Sequence, residues 1–148
     1  DGATNALFEL PKDEADNRII VSVHAYTPYS FALQAPTDAG STDAFYTDKA
    51  ASTGEIDTLM RRLYNTYVSK GIPVIIGEYG ARQKGDNLDS RVRYAAYYTA
   101  AARASGITCC WWDNHSFRGS GENFGIIDRK TLQWAAPEIV EAIMRYAE

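Results

Sequence analysis

Glu78 is a carboxylate that stands at the end of an apolar run, where a strand is expected to give way to a turn. It follows residues 73–76 (PVII) and lies between Gly77 and Gly80. Glycines on both sides let the backbone turn tightly and let a substrate approach the carboxylate closely. A lone glutamate at a strand end is more often a helix cap or a solvated group. The neighbouring residues must therefore decide between a catalytic and an ordinary role.

Three further side chains could join Glu78 if their strands run in parallel. His24 and Tyr26 close the segment RIIVSVHAY, and Trp112 closes ITCCWW. Taken singly, each has an ordinary explanation as a core or surface histidine, a core tyrosine or, like the adjacent Trp111, a packing tryptophan. Together they suit sugar chemistry, because an indole stacks on the apolar face of a pyranose while polar groups position a carboxylate nucleophile.

Strand alternation indicates which side chains share a face, because residues two apart on a strand point the same way. The resulting sets are Ser22, His24 and Tyr26; Val74, Ile76 and Glu78; and Thr108, Cys110 and Trp112. If helices cover the valine and isoleucine face, the four polar and aromatic groups named above collect on the opposite face, near the strand ends. Parallel α/β proteins bind their ligands at that end of the sheet.

The elements that carry these groups alternate between strand and helix three times, which predicts an α/β domain with parallel strands. The predicted strands are 18–26, 73–78 and 107–112, and the predicted helices are 55–70, 90–106 and 137–148. Ser52 or Thr53 is the candidate N-cap of the first helix, and Gly71 and Gly106 are predicted helix stops. Residues predicted to be buried by helical spacing include Ile56, Leu59, Met60, Leu63, Tyr64, Tyr67, Val68, Val92, Ala95, Ala96, Thr99, Ile139, Val140, Ile143 and Met144.

Composition limits the function classes. The chain has 148 residues, 45% of them hydrophobic, which is enough for one domain with a sizeable core. A net charge of −4 with scattered Lys and Arg argues against a nucleic-acid partner. No run approaches the roughly 20 apolar residues that span a bilayer, so no membrane partner is expected. Cys109 and Cys110 are predicted as small core residues on opposite strand faces, and distant His24 and His115 argue against a metal site.

The sequence resembles a known enzyme family at four places. The segments RIIVSVHAYTPYSFAL, GIPVIIGEYGAR, ITCCWWDN and SGENFGIIDRKTLQW are similar to strands six, seven and eight, with their following loops, of glycoside hydrolase family five endoglucanases. The resemblance covers nearly the whole chain. It implies a partial (β/α)8 TIM barrel of about three βα units, with residues 1–148 as the C-terminal part of the catalytic barrel. It also implies a secreted, extracellular enzyme that cleaves β-1,4-linked glucans or related plant cell-wall polysaccharides, with retention of configuration and without a cofactor.

The same resemblance implies roles for individual residues. Glu78 matches the nucleophile, and His24 and Tyr26 match the residues that surround it. Trp112 matches the tryptophan beneath the sugar at the cleavage point. Asn114 and Tyr29 are expected to line the glucan cleft. His115 occupies a place where many relatives have glycine, which puts the local loop and its substrate contacts in question.

The acid/base group of a retaining glycosidase is not supplied by a recognisable motif. In the family it is the glutamate of Asn-Glu-Pro, and that tripeptide does not occur in this sequence. Three parallel strands would also leave two unpaired edges and an open apolar face, predicted to include Ile20, Val74 and Ile76. One hypothesis is a chain completed by a complementary N-terminal barrel fragment. The other is a catalytically inactive partial barrel that self-associates as a homo-oligomer and at most binds glucan. Both predict that the isolated chain is inactive.

Overall fold

The chain forms three consecutive strand-helix units in the structure, a computed structural model that describes residues 8–15 and 17–147. In chain order the elements are β1 Val21–His24, α1 Tyr29–Ala32, α2 Ala50–Thr66, β2 Val74–Tyr79, α3 Leu88–Ala104, β3 Thr108–Trp111, β4 Ile127–Asp128, β5 Gln133–Trp134 and α4 Pro137–Ala147. The first three strands pair in parallel in the order β1-β2-β3. The predicted alternation of parallel strands and helices is therefore confirmed.

Two short features lie in stretches that the sequence patterns left unassigned. The helix α1 forms a single turn soon after β1, within the long polar segment between β1 and α2. The strands β4 and β5 form a small antiparallel pair between β3 and α4. Both are too short for periodicity to reveal, because one helical turn or two residues of strand do not complete a pattern.

The predicted N-cap of the first long helix is wrong. The helix α2 begins at Ala50, with Lys49 as its N-cap, so Ser52 and Thr53 lie inside its first turn. The Ser52 hydroxyl instead accepts a hydrogen bond from the backbone N–H of Tyr46. Serine and threonine are typical N-cap residues because their hydroxyls bond to nearby backbone groups. Here the Ser52 hydroxyl bonds to the preceding loop, and the helix begins two residues before it.

The predicted helix stops are confirmed, and both depend on glycine. Gly71, which follows a 3-10 turn after α2, has φ +78°, and Gly106, two residues after α3, has φ +68°. A side chain at such a φ is strained, so glycine is the residue that lets the chain reverse toward the next strand. Each of these turns feeds directly into β2 or β3.

One face of the sheet packs against the helices and forms the main core. Its buried strand residues are Val21, Val23, Ala25, Val74, Ile76 and Tyr79. The helix α3 contributes Tyr94 and Tyr98, both 0% exposed, which helical spacing in the Ala-rich segment did not single out. Tyr79 stacks on Tyr98 with ring centroids 4.4 Å apart, and its hydroxyl lies 2.8 Å from Thr99 Oγ1. Aromatic side chains are thus the largest of the fully buried ones in the core.

The helices confirm most of the predicted buried positions but not all of them. Buried as predicted are Ile56, Met60, Leu63, Tyr67, Ala95, Thr99 and Ile139. Partly buried are Leu59, Val68, Val92, Ala96, Val140 and Ile143. Tyr64 is 45% exposed and Met144 is 56% exposed, so those two predictions are wrong. In α4 the residue buried in addition to Ile139 is Ala142, because the helix packs closely against α3 through small side chains.

The opposite face of the sheet is open and mostly polar. Ser22, His24, Thr108 and Cys110 are exposed on it. The predicted open apolar face is therefore wrong for Val74 and Ile76, which lie under the helices, although Ile20 is 64% exposed. Cys110 also contradicts the prediction that both cysteines are core residues, since only its neighbour Cys109 packs against the core. The two thiols are free and belong to opposite faces.

Residues 8–15 and 17–147 bear on two further possibilities, a membrane-spanning helix and a metal site. Within these residues, no helix is long and apolar enough to cross a membrane. Over the same described residues, no group of three or more His, Cys, Asp or Glu side chains is arranged to hold a metal ion.

Candidate active site

The structure brings Glu78, Tyr26 and His24 together at the ends of β1 and β2. The Tyr26 hydroxyl donates a hydrogen bond of 2.9 Å to Glu78 Oε2, and His24 Nδ1 lies 3.3 Å from the same oxygen. The Glu78 side chain is 23% exposed, and the His24 side chain is 58% exposed. Both polar neighbours contact Oε2 and so orient the carboxylate, and within the described residues no hydrogen bond to its other oxygen, Oε1, is found.

A bulge in β2 is what turns Glu78 toward His24. Val23 of β1 lies opposite Ile76, but His24, the next residue, lies opposite Glu78, so Gly77 is an extra residue in β2. An extra residue reverses the inside-outside alternation of everything that follows it. The predicted alignment of Glu78 with the buried Ile76 is therefore wrong, although the predicted gathering of His24 and Glu78 on one face is confirmed.

Glycine avoids a close contact at the bulge because Gly77 faces its neighbours on β1. A Cβ atom on Gly77 would lie 3.1 Å from Ser22 Oγ and 3.5 Å from His24 Nε2. Gly80 is similarly confined, with Phe124 Cδ1 3.2 Å from the position of its Cβ. Gly77 and Gly80 thus leave room for neighbouring side chains, and neither adopts a left-handed backbone conformation.

Tyr26 is held as a neutral donor to Glu78. Burial raises the pKa of its phenol above the ordinary value, and its hydrogen bond to Glu78 and the negative charges of Glu78 and Glu122 add to that shift. The ring is also packed by Phe124, whose centroid lies 5.4 Å away at an interplanar angle of 53°. Sequence reasoning assigned no role to Phe124 or Glu122, since neither lies near a strand end in the sequence.

The adjacent residues Trp111 and Trp112 have different surroundings. The backbone N–H of Trp112 donates to the carbonyl oxygen of Tyr79, 2.8 Å away, which places Trp112 beside the end of β2. Its side chain is 39% exposed, as a sugar platform requires. Trp111 packs edge-on against Tyr79 at 5.4 Å and donates its Nε1–H to the carbonyl oxygen of Phe124. The predicted packing role of Trp111 is confirmed by these contacts.

Asn114 is engaged in holding a loop. Its Nδ2 donates to the carbonyl oxygen of Glu122, and its Oδ1 accepts the backbone N–H groups of Ser116 and Phe124. These hydrogen bonds fold the segment after β3 back toward Tyr26. They give Asn114 a structural function in addition to the cleft-lining role that the resemblance implies.

Asp113 anchors the far end of the same loop. Its Oδ2 accepts the backbone N–H groups of Ile126 and Ile127, and Arg129 pairs with its Oδ1 at 2.7 Å.

His115 has φ +57°, a left-handed conformation that is costly for a residue with a side chain. The expectation that glycine suits this position therefore has a conformational basis in this chain.

Tyr29 is less closely connected to the site. It begins α1 and is 57% exposed. Among the described residues, no hydrogen bond or ring contact joins it to Glu78, Tyr26 or His24. Its predicted role in lining a cleft stays a prediction.

Two buried cations brace the loops that follow the strands. Lys84 Nζ donates to the carbonyl oxygens of Ser30 and Thr42 and to Ser41 Oγ, and burial lowers the pKa of its amine to about 8. Arg82 donates to the carbonyl oxygens of Leu33 and Gly121. The loops after β1, β2 and β3 are thereby tied together around the end of the sheet that carries Glu78.

Comparisons with known proteins agree with this architecture. Residues 1–118 match the sequence model of a family described as Cellulase (glycosyl hydrolase family 5). Endoglucanase 1 of Ruminococcus albus is 44% identical over 141 residues, which are 95% of this chain and 32% of that protein. This chain thus spans about a third of that relative's length.

Solved structures match almost the entire chain. A glycoside hydrolase 5 lichenase from Caldicellulosiruptor sp., a mutant in complex with cellotetraose, superposes with a TM-score of 0.96 at 58% identity, over 99% of this chain and 40% of that chain. A xyloglucan-specific endo-β-1,4-glucanase from a metagenomic library, in complex with cellotriose, gives a TM-score of 0.81 at 32% identity, over 94% of this chain and 38% of that chain. The three strand-helix units are therefore part of a (β/α)8 barrel.

Proposed function

Since the chain belongs to the cellulase family, glycosyl hydrolase family 5, we propose that it is the nucleophile-bearing part of a retaining endo-β-1,4-glucanase. One observation carries the proposal. Glu78 is fixed through Oε2 by Tyr26 and His24 on the open face of the sheet, at the ends of the parallel strands. That end is where barrel enzymes of this architecture do their chemistry.

The proposed reaction is a double displacement. Glu78 attacks the anomeric carbon through Oε1 and forms a covalent glycosyl-enzyme, while Tyr26 stabilises the carboxylate through Oε2. A second carboxyl group, about 5 Å away, protonates the leaving oxygen and then activates water. The chain has no Asn-Glu-Pro motif to supply that group. In this proposal the acid/base comes from a part of the barrel outside these 148 residues.

The proposed substrate is cellulose or a related β-glucan. Support comes from the names of the similar proteins, which include an endoglucanase and a lichenase bound to cellotetraose. The exposed indole of Trp112 offers a stacking surface for a glucose ring. Such polymers are too large to cross a membrane, so we place the reaction outside the cell. The chemistry needs only two carboxyl groups and water, and no cofactor is part of the proposal.

The proposed partner is the remainder of the barrel. In the described sheet, β1 and β3 each have one neighbour, so each presents an edge for another strand. The exposed Ser22, Thr108 and Cys110 lie on the face that a closed barrel would enclose. We therefore treat residues 1–148 as one part of a catalytic barrel domain.

A second candidate is an inactive partial barrel that self-associates through these edges. The same unpaired β1 and β3 favour it, because an exposed edge can pair with another copy as readily as with a complementary fragment. Trp112 would then support glucan binding without hydrolysis. Native mass spectrometry separates the candidates: multiples of the chain mass indicate self-association, whereas a companion polypeptide indicates a completed barrel.

A chimeric enzyme tests the main proposal. This chain replaces the matched segment of the Caldicellulosiruptor lichenase, which is 40% of that protein. We expect the chimera to hydrolyse soluble β-glucan and to release the retained anomer first, as NMR would detect. The isolated chain is expected to show no turnover. A folded chimera without activity, or release of the inverted anomer, contradicts the proposal. Turnover by the pure isolated chain that disappears in Glu78→Gln would show that another group replaces the missing acid.

A further inference from the structure

A cavity lies apart from the Glu78 group, between the loops after β2 and β3. Its volume is about 760 Å³, within the roughly 300–1,000 Å³ of small-molecule sites. None of the residues of the Glu78 group lines it. Its wall is formed entirely by residues 83–136 of this chain, so the strands missing from the sheet are not needed to build it.

The cavity wall includes the buried guanidinium of Arg91, which lies 5.9 Å from the centroid of the Trp111 ring and forms no ion pair within residues 8–15 and 17–147. Arg91 lines the wall and is only 3% exposed. Its Nε donates to the carbonyl oxygen of Ala81, but its Nη2 is buried and has no hydrogen-bond partner within residues 8–15 and 17–147. Over the same residues, the ion pairs found are His24 with Glu78 and Arg129 with Asp113. A buried guanidinium with an unsatisfied donor is costly unless something accepts from it.

The rest of the wall combines positive charge with groups that suit a hydroxylated ring. Arg118 adds a second guanidinium, and Phe117 adds an aromatic surface. Asp86 and Gln83 offer acceptors for hydroxyl groups. Of the two wall carboxylates, Asp128 is already engaged, because its Oδ1 accepts the backbone N–H groups of Lys130 and Thr131 in a turn. Its charge is thus partly offset before any ligand enters.

We propose that this cavity binds a sugar carboxylate, that is, a uronate ring whose carboxylate is held by Arg91 and Arg118 and whose hydroxyls meet Asp86 and Gln83. A planar guanidinium and a carboxylate pair through two parallel hydrogen bonds, and Nη2 of Arg91 has no other acceptor within the described residues. A simple anion would leave most of the cavity empty, and a neutral sugar would offer Nη2 of Arg91 no charged acceptor. The ligand therefore needs both the charge and the ring.

Isothermal titration of the full chain with glucuronate, glucose and acetate tests the proposal. The three probes separate the carboxylate from the ring, because glucose lacks the charge and acetate lacks the ring. We expect glucuronate to bind at least about tenfold more tightly than either, as one charge-assisted pair implies. Equal binding of glucuronate and glucose, or no binding of glucuronate, overturns the proposal.

Variants locate the site. Arg118→Gln removes an exposed wall charge and is expected to weaken glucuronate binding about tenfold. Arg145→Gln, at the exposed far end of α4, is the matched control and is expected to leave binding unchanged. Arg91→Lys keeps the charge but loses the planar fork, and circular dichroism checks its folding. If Arg91→Lys does not fold, the comparison of Arg118→Gln with Arg145→Gln is the test.

A last control separates this cavity from the sugar cleft. Glu78→Gln is expected to leave the glucuronate affinity unchanged, since Glu78 does not line the cavity. NMR shifts on titration should fall on His115 and Phe117, whose rings lie 5.2 Å apart beside the cavity. Shifts confined to Tyr26 and Trp112, or lost affinity in Glu78→Gln, would mean that glucuronate occupies the cleft and that the proposal is wrong.

Discussion

The two faces of the parallel sheet use the same three strands in opposite ways. The covered face carries Val21, Val23 and Tyr79 against α2 and α3, and it is buried and apolar. The open face carries Ser22 and His24 from the same strand, and it is exposed and polar. A single extra residue, Gly77, moves Glu78 from the first face to the second. The position of the proposed nucleophile thus depends on backbone register as well as on residue type.

The largest expected effect is on activity and comes from the open face. Glu78→Gln in the chimera should lower kcat about ten-thousandfold, because the amide cannot attack the anomeric carbon. The melting temperature should barely change, since the side chain is partly exposed and packs in no core. Kinetics and thermal unfolding are measured on the same sample, with Glu55→Gln on α2 as the control. An equal fall in activity and stability would count against a catalytic role.

A core truncation on the covered face should do the reverse. Phe45 is 0% exposed and contacts Phe31 and Tyr94, with each pair of ring centroids 5.4 Å apart. Phe45→Ala should lower the free energy of unfolding of the chain by about 3–5 kcal/mol, through lost burial and the cavity left behind. Urea denaturation measures this loss, with Phe8→Ala, at a 45% exposed site, as the comparison. Similar losses in the two variants would contradict the assigned core.

Tyr26→Phe tests the contact between the two functional strands. It removes the hydrogen bond to Glu78 Oε2 but keeps the ring packed on Phe124. In the chimera, kcat should fall about tenfold, as expected for one hydrogen bond to a charged group. The chain's unfolding midpoint should change little. An unchanged kcat would return Tyr26 to a packing role.

Gly77→Ala tests the bulge itself. The new methyl group would meet Ser22 Oγ at 3.1 Å, so Ser22 or the strand must shift. We expect a loss of about 1 kcal/mol in unfolding free energy. Adding Ser22→Ala should recover part of it, because the clashing atom is gone. If the double variant is no more stable than Gly77→Ala in urea denaturation, the close approach of Gly77 to β1 is not the cause.

The smallest expected effects separate two buried tyrosines on α3. The Tyr98 hydroxyl donates to the carbonyl oxygen of Ala25, whereas the buried Tyr94 hydroxyl has no partner in the described part of the chain. Tyr98→Phe should therefore cost about 1 kcal/mol, and Tyr94→Phe should be neutral or slightly stabilising. Urea denaturation of the matched pair measures the difference. A larger loss in Tyr94→Phe would show that its hydroxyl does have a partner.

Much of the fold could be predicted from local patterns. The three strands were found within three residues at either end, because β-branched runs are strong local signals. The buried faces of α2 and α4 followed from helical spacing, except for exposed residues such as Tyr64 and Met144. The Ala-rich α3 was less predictable. Its core contacts come from Tyr94 and Tyr98, and only the sheet that they cover distinguishes them from surface aromatics.

The candidate site also contains residues that local patterns could predict and one that they could not. His24, Tyr26 and Glu78 could be gathered from strand-end positions, and the structure joins them through Oε2 of Glu78. Phe124 could not be predicted, because it lies nearly a hundred residues after Tyr26 in the sequence. The two rings meet only when the loop held by Asn114 folds back toward β1. Long-range packing of this kind leaves no local periodicity.

The sequence by itself determined the order of strands and helices, the family motifs and the residue types at the strand ends, since each of these is written in contiguous residues. Tertiary structure decided which face each residue joins. Strict alternation placed Glu78 with Ile76, and only pairing with β1 shows that Gly77 is an extra residue. Register is a property of two strands together, and the physical reason is that their hydrogen bonds, not either segment alone, fix it.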